Sequence, residues 1–234
     1  MNLQKSVEDN GYRQSMGQLL MLYTQVDRLI MEVCAQRLTD APDEDAELSL
    51  AKQVGDESRH VSIQRQWMRQ FGAAPTPLIT PEQEQMIREY FQTLPWIDFL
   101  ADLYICVEAL GSEAVERIVP LADPGTRESL RIPLADELDH VAFGVSRLKQ
   151  ELAKLSEMER KEFLTRLPAR IEALSDAFHG LGFSVRGMFE AVGADYDRLC
   201  RLLEERQKEL IAELAAVPQA VTRQPVRDMA GVST

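Results

Sequence analysis

Histidine is scarce in this sequence of 234 residues, and two of its three copies stand in the same setting. The two segments are Asp56-Glu57-Ser58-Arg59-His60 and Asp136-Glu137-Leu138-Asp139-His140, each with Glu three residues before His and Asp before that Glu. On a helix, residues i and i+3 share a face, so a carboxylate and an imidazole at this spacing can hold one metal ion together. With 38 acidic residues in 234, an acid three positions before a histidine arises by chance about once in six, and twice about once in forty. One Glu-x-x-His is weak. Two are a signal.

A two-ion site among helices also needs one carboxylate from each of two further helices. Glu108 is embedded among Leu100, Tyr104, Ile105, Val107 and Leu110, where an acid is costly to bury without a cation. Asp27 falls on the stripe Met16, Leu20, Tyr23, Ile30, Cys34, whose alternating steps of four and three mark one helix face. Glu113 and Glu116 stand near Arg117 and read as a solvated edge, and Glu32, sharing its face with Gln25, Arg28 and Gln36, is expected to point to water.

The candidate metal ligands are therefore Asp27, Glu57, His60, Glu108, Glu137 and His140, with Glu57 and Glu137 as the bridging, catalytic pair. Asp27 precedes Glu57 by 30 residues and Glu108 precedes Glu137 by 29, while Tyr23 and Tyr104 each stand four before their acid. A pseudo-two-fold repeat of helix pairs accounts for this, and places both tyrosines near the metals. The four carboxylates balance two divalent ions, and oxygen and nitrogen donors without thiolate suit iron or manganese rather than zinc or an iron–sulfur cluster.

The elements that must carry these residues are helices, since the 3.6-residue period dominates and no alternating strand pattern stands out. Long helices are expected over about residues 7–38, 43–71, 95–121 and 126–155. Thr80 and Pro81 read as the cap and first position of a shorter helix to about Thr93. The linker of residues 73–78 is long enough for a crossover that sets two antiparallel pairs side by side. Two further helices, over about 156–192 and 196–216, follow at the C-terminal end, so residues 1–216 form one all-α domain and residues 217–234 a loose tail. Pro133, four before Glu137, is expected to disrupt the fourth helix just ahead of its ligands.

Composition narrows the partners. A net charge of −12 argues against nucleic acid or an anionic membrane surface. No apolar run approaches the ~18 residues of a membrane span, and the first residues lack the apolar core of a secretory signal. Cys34, Cys106 and Cys200, odd in number and scattered, fit reduced, buried thiols in a cytoplasm. His179 has no acid four before it and reads as structural or pocket-lining.

The pattern Asp27, Glu57-x-x-His60, Glu108, Glu137-x-x-His140 resembles the ferritin-like di-iron carboxylate superfamily over about residues 7–155. Asp56-Glu57-Ser58-Arg59-His60 is similar to the Asp-Glu-x-Arg-His motif of bacterial multicomponent monooxygenases, from which the second copy departs with Asp139 in place of Arg. An Asp from the first helix resembles the small subunit of class I ribonucleotide reductase. That subunit's radical Tyr would stand seven after the second-helix Glu, and here the position is Gln64. Length and spacing are also similar to cyanobacterial aldehyde-deformylating oxygenases, which use Glu in the first helix.

The resemblance implies a ferritin-like four-helix bundle with additional C-terminal helices. It also implies that Asp56 and Asp136 each accept the free ring N–H of the histidine on the partner helix. The expected activity is that of an oxygenase with two iron ions (an iron–manganese pair being the variant), using O₂ to oxidise a small, largely apolar organic substrate. Leu20, Tyr23, Gln64, Ala101, Tyr104, Gly111 and Phe143 are expected to line its pocket, and a ferredoxin or reductase to donate electrons. The alternatives are a ferritin-like iron-oxidising or storage protein and a metal-stapled interaction protein without turnover. The last helix is amphipathic enough for a homodimer.

Overall fold

The computed structural model describes residues 10–72 and 75–216, and among these no strand occurs. The expected start of the first helix at residue 7 and the expected tail of residues 217–234 lie outside the described residues.

Helix α1 (Asn10–Arg37) turns through a short 3₁₀ segment (Leu38–Asp40) into α2 (Glu44–Phe71). Asp43 caps α2 by accepting the Ala46 N–H, three acids occupy its first turn, and Gly72 at φ 71° ends it in the left-handed conformation. Acids near the N-terminal dipole and glycine at the C-terminal turn are the expected signs of a self-contained helix. Helix α3 (Pro81–Thr93) begins with the expected Thr80 cap, completed as a capping box by Gln83.

The third long rod is not one regular helix. It runs as α4 (Trp96–Leu100), a π-helical stretch (Ala101–Ala109) and α5 (Leu110–Ile118), with Glu108 inside the π stretch. Such widened turns re-aim side chains and are frequent at functional sites. No local sequence signal marks this one, because it depends on what surrounds the rod. Asp102, itself fully buried, binds Arg170 and Tyr90, and Tyr104 and Glu108 are buried with it.

Helix α6 (Pro124–Lys154) starts on Asp123, which accepts from Gly125 N–H and Thr126 N–H. It passes through Pro133 without a break, contrary to the expected disruption. Proline removes a single N–H, and Pro133 is buried against neighbours that keep the rod helical on both sides. The expected helix over 156–192 is instead α7 (Glu157–His179) and α8 (Val185–Ala191). The break falls at residues 180–184, where Gly182 takes φ 95°. Helix α9 (Tyr196–Ala215) closes the described chain.

The rods pack α1 on α2, α2 on α6, and α6 on the π stretch, with α7 against the π stretch and α9 against α5. One apolar cluster holds Ile30, Leu50, Phe99, Leu148, Leu167 and Leu210, and a second holds Tyr12, Met16, Met68, Ile118, Leu130 and Phe189. Asp27, Glu57, His60, Glu137 and His140 fall between these two clusters along α1, α2 and α6. The acids thus occupy a polar layer sandwiched between apolar ones.

One surface expectation changes with this packing. Helices α3 and α8 lie on α1, so its second face is covered. Gln25 is buried and binds Leu78 N–H and the Ile79 carbonyl, and Glu32 is ion-paired to Arg88 at 2.7 Å rather than free in water. The apolar face of α9 packs within the chain, with Leu199, Leu210 and Leu214 buried in the two clusters. Glu113 behaves as expected and pairs with Arg117 on the surface.

Candidate metal centre

Four rods each deliver an acid to one point. Asp27 comes from α1, Glu57 with His60 from α2, Glu108 from the π stretch, and Glu137 with His140 from α6; none of the six is more than 4% exposed. The donor atoms of Glu57, Glu108, Glu137 and His140 lie within 4.8 Å of one another, as do those of Asp27, Glu57 and His60. Glu57 belongs to both groups. These are distances at which one ion can be shared by each group.

The histidines are oriented alike. His60 Nδ1 faces Glu57 Oε2 at 3.2 Å and Asp27 Oδ2 at 4.0 Å, while its Nε2 meets Asp136 Oδ2 at 2.9 Å. His140 Nδ1 faces Glu57 Oε1 at 3.4 Å and Glu137 Oε2 at 3.7 Å, while its Nε2 meets Asp56 Oδ2 at 3.3 Å. Each Asp therefore reaches the histidine of the opposite helix, as expected. An Nε2–H donated to carboxylate leaves the Nδ1 lone pair turned inward.

Arg59 and Lys52, which sequence reasoning passed over as functional groups, tie this layer together. Arg59 contacts Asp56 at 2.9 Å and Asp136 at 2.6 Å, and Lys52 reaches Asp139 at 3.0 Å. The Asp139 that departs from the motif is thus matched by a cation from α2. Gln53 and Gln64 were the other omission, Gln53 entirely and Gln64 in its role. Gln64 Nε2 donates to Asp27 Oδ2 at 2.9 Å, and Gln53 Nε2 donates to Glu108 Oε1. Their signal was a buried amide on the ligand face of α2, one turn to either side of the Glu-x-x-His pair.

The residues predicted to line a pocket divide. Tyr23 O–H lies 3.5 Å from Glu137 Oε1. Tyr104 is fully buried and donates to Gln53 Oε1 at 2.8 Å, with Phe143 edge-on to its ring. Leu20 and Ala101 are packed in the two apolar clusters, whereas Gly111 faces open space. His179 is exposed and links α7 to α9 through the Tyr196 hydroxyl at 3.1 Å, a structural role. Cys34 is buried, and all three cysteines are free thiols.

Burial and crowded charge set the protonation of the cluster. Burial first, and then the Glu57 and Glu137 charges, push the Asp27 carboxyl well above its usual range. Burial and the charge of Glu137 do the same to Glu108. Burial works against ionised Glu137 too, but Glu108 and the two imidazoles outweigh it and hold Glu137 low. His140 would be lowered by burial, yet the Glu137 and Glu57 carboxylates raise it to about 10. Like charges confined in a dry layer keep protons that a cation would displace.

The donor set fits such a cation. Asp27 Oδ1, Glu57 Oε1, Glu108 Oε2, Glu137 Oε2 and His140 Nδ1 are buried atoms without a hydrogen-bond partner. They are half of all such side-chain atoms among the described residues, so the deficit is concentrated here. Unpaired buried acceptors cost free energy, and divalent metal ions satisfy several at once.

One consequence separates a metal centre from a structural cluster. Raised carboxyl groups take up protons on folding, so stability is lost as pH rises above the unfolded carboxyl range toward the raised folded values. Glu108→Gln removes that loss and keeps the shape. Metal-free Glu108→Gln is expected to be about 1–3 kcal/mol more stable than the parent at pH 7.5, while its metal capacity falls. Thermal unfolding in chelator, with metal analysis in parallel, checks both signs. A drop in metal-free stability would mark Glu108 as a structural acid.

The chain matches neither a family model nor a curated protein sequence. Fold and site define its class by themselves: an all-helical protein with a buried carboxylate–histidine cluster close enough to hold metal. No helix among the described residues is long and apolar enough to cross a membrane.

Proposed function

We propose that this protein is a non-haem di-iron oxygenase built on a ferritin-like four-helix bundle with additional C-terminal helices. The observation that carries the reading is the convergence of both Glu-x-x-His pairs with Asp27 and Glu108 from four rods, all four acids and His140 each offering a buried donor atom without a hydrogen-bond partner. Two bound ions, iron with iron or iron with manganese, would supply the electrons and Lewis acidity that chemistry with O₂ requires.

The residues have distinct tasks in this reading. Glu57, the acid in both donor groups, would be shared by the two ions, and Glu137 would be the second acid between them. Asp27 with His60, and Glu108 with His140, each complete one position. Asp56 and Asp136 fix the imidazole tautomers, and Arg59 neutralises both aspartates at the protein's edge. The flanking apolar clusters exclude water from the layer, which strengthens every charge interaction inside it. Tyr23 is the hydroxyl nearest a bridging acid and can hold a proton there. The substrate class is a small, largely apolar organic molecule. A ferredoxin or reductase would return electrons.

A second reading, a bundle stapled by metal without turnover, draws on the close packing of Leu20, Gln64, Ala101 and Tyr104 around the site. One experiment separates them: anaerobic loading with Fe(II), metal analysis, then exposure to O₂ with optical monitoring. The expected result is two irons per chain, O₂ consumption and a transient visible absorbance. Two irons inert to O₂ would favour the stapled bundle. One or none would end the di-iron reading.

A further inference from the structure

The two carboxylates at the ends of the cluster are each held by a glutamine amide, and each amide is held in turn by a hydroxyl. Gln64 Nε2 donates to Asp27 Oδ2 at 2.9 Å, and the Thr24 hydroxyl lies 2.6 Å from Gln64 Oε1, sharing its proton with the Leu20 carbonyl. On the other side Gln53 Nε2 donates to Glu108 Oε1, and the Tyr104 hydroxyl donates to Gln53 Oε1 at 2.8 Å. Gln53, Gln64, Thr24 and Tyr104 are all buried to within 2%. Each hydroxyl fixes which way the amide faces, and each amide occupies one oxygen of its acid. The opposite oxygens, Asp27 Oδ1 and Glu108 Oε2, are the ones left without a partner.

We propose that Gln53 and Gln64 are positioning residues that limit Glu108 and Asp27 to donating one oxygen each to a bound ion. The inference rests on the metal-centre reading above. A carboxylate free to turn offers both oxygens, whereas one with an oxygen tied to a buried amide N–H offers the other. Each ion position then keeps fewer protein donors and more room for an external molecule. Both amides sit on α2, four residues before Glu57 and four after His60. The equivalent places on α6 hold Pro133 and Gly144, which carry no such group, so one helix sets both ends.

Gln53→Met and Gln64→Met conserve volume and remove the N–H. Cobalt(II) alone is the probe, since its visible absorption weakens as more donor atoms surround it. Loading the full chain anaerobically, we expect each variant to bind as much cobalt as the parent, with absorption per ion reduced about twofold or more. Thr24→Val and Tyr104→Phe, which remove only the hydroxyls, are expected to shift the spectrum the same way by less, and they stand in if a Met variant does not fold. Parent-like spectra in the folded variants would overturn the proposal, as would loss of one ion with an unchanged spectrum for the other. A parent that binds no cobalt would instead overturn the metal-centre reading beneath it.

Discussion

Glu57→Ala is expected to abolish binding of both ions, not one. Glu57 is the only acid placed in both donor groups, and its two oxygens face different histidines, Oε2 toward His60 and Oε1 toward His140. Removing one partner of a buried charge pair costs about 3–5 kcal/mol, or roughly 100- to 1000-fold or more in affinity, and here the loss falls on both positions. Metal analysis after Fe(II) loading and desalting should therefore drop from two ions per chain to none, while Glu116→Ala, on the surface, retains both. The metal-free variant should stay helical, since the apolar clusters on either side of the layer do not depend on Glu57. Two ions retained by Glu57→Ala would show that the ligand assignment is wrong.

Gly144→Ala should be strongly destabilising. A Cβ at this position would stand 2.0 Å from Cγ and 2.1 Å from Cβ of Tyr104. Those atoms are the stem of the ring and cannot swing aside without moving the whole residue. Either α6 separates from the π stretch or Tyr104 leaves its site and its bond to Gln53. Overpacking of about 1–3 kcal/mol and a lost buried hydrogen bond of about 1–2 kcal/mol sum to roughly 2–5 kcal/mol. For a chain of this size that lowers the melting temperature by about 5–15 °C. Gly111→Ala provides the contrast, because nothing lies within 4 Å of its added carbon. There the gain in helix propensity should leave stability equal or slightly raised. A Gly144→Ala protein melting within about 2 °C of the parent would refute the close approach.

The buried carboxylate–histidine cluster was legible because groups of this kind leave marks that a sequence can carry. Histidines are rare here, carboxylates among apolar residues are costly, and i, i+3 spacing is local. Capping signals at Asp43, Thr80, Asp123, Ser156 and Asp195 are local too, and they set where five helices begin. The errors share the opposite character. Pro133 was weighed for its lost N–H alone, without the packing that carries α6 past it. Glu32 was assigned to water because one helix in isolation shows one apolar stripe. Only the docking of α3 on α1 covers the other face.

What the sequence determined by itself is the chemistry available: four acids and two histidines at helical spacing, in duplicate, on rods long enough to bring them together. Tertiary structure alone decided how those groups are aimed. The π-helical turn around Glu108, the room Gly144 leaves for Tyr104, and the choice of Gln53 and Gln64 as holders of the outer carboxylates all depend on contacts between rods. A residue's type and spacing fix which atoms it can offer. Which of two oxygens it presents is settled by the neighbour that binds the other, and that neighbour lies 37 residues away for Asp27 and 55 for Glu108.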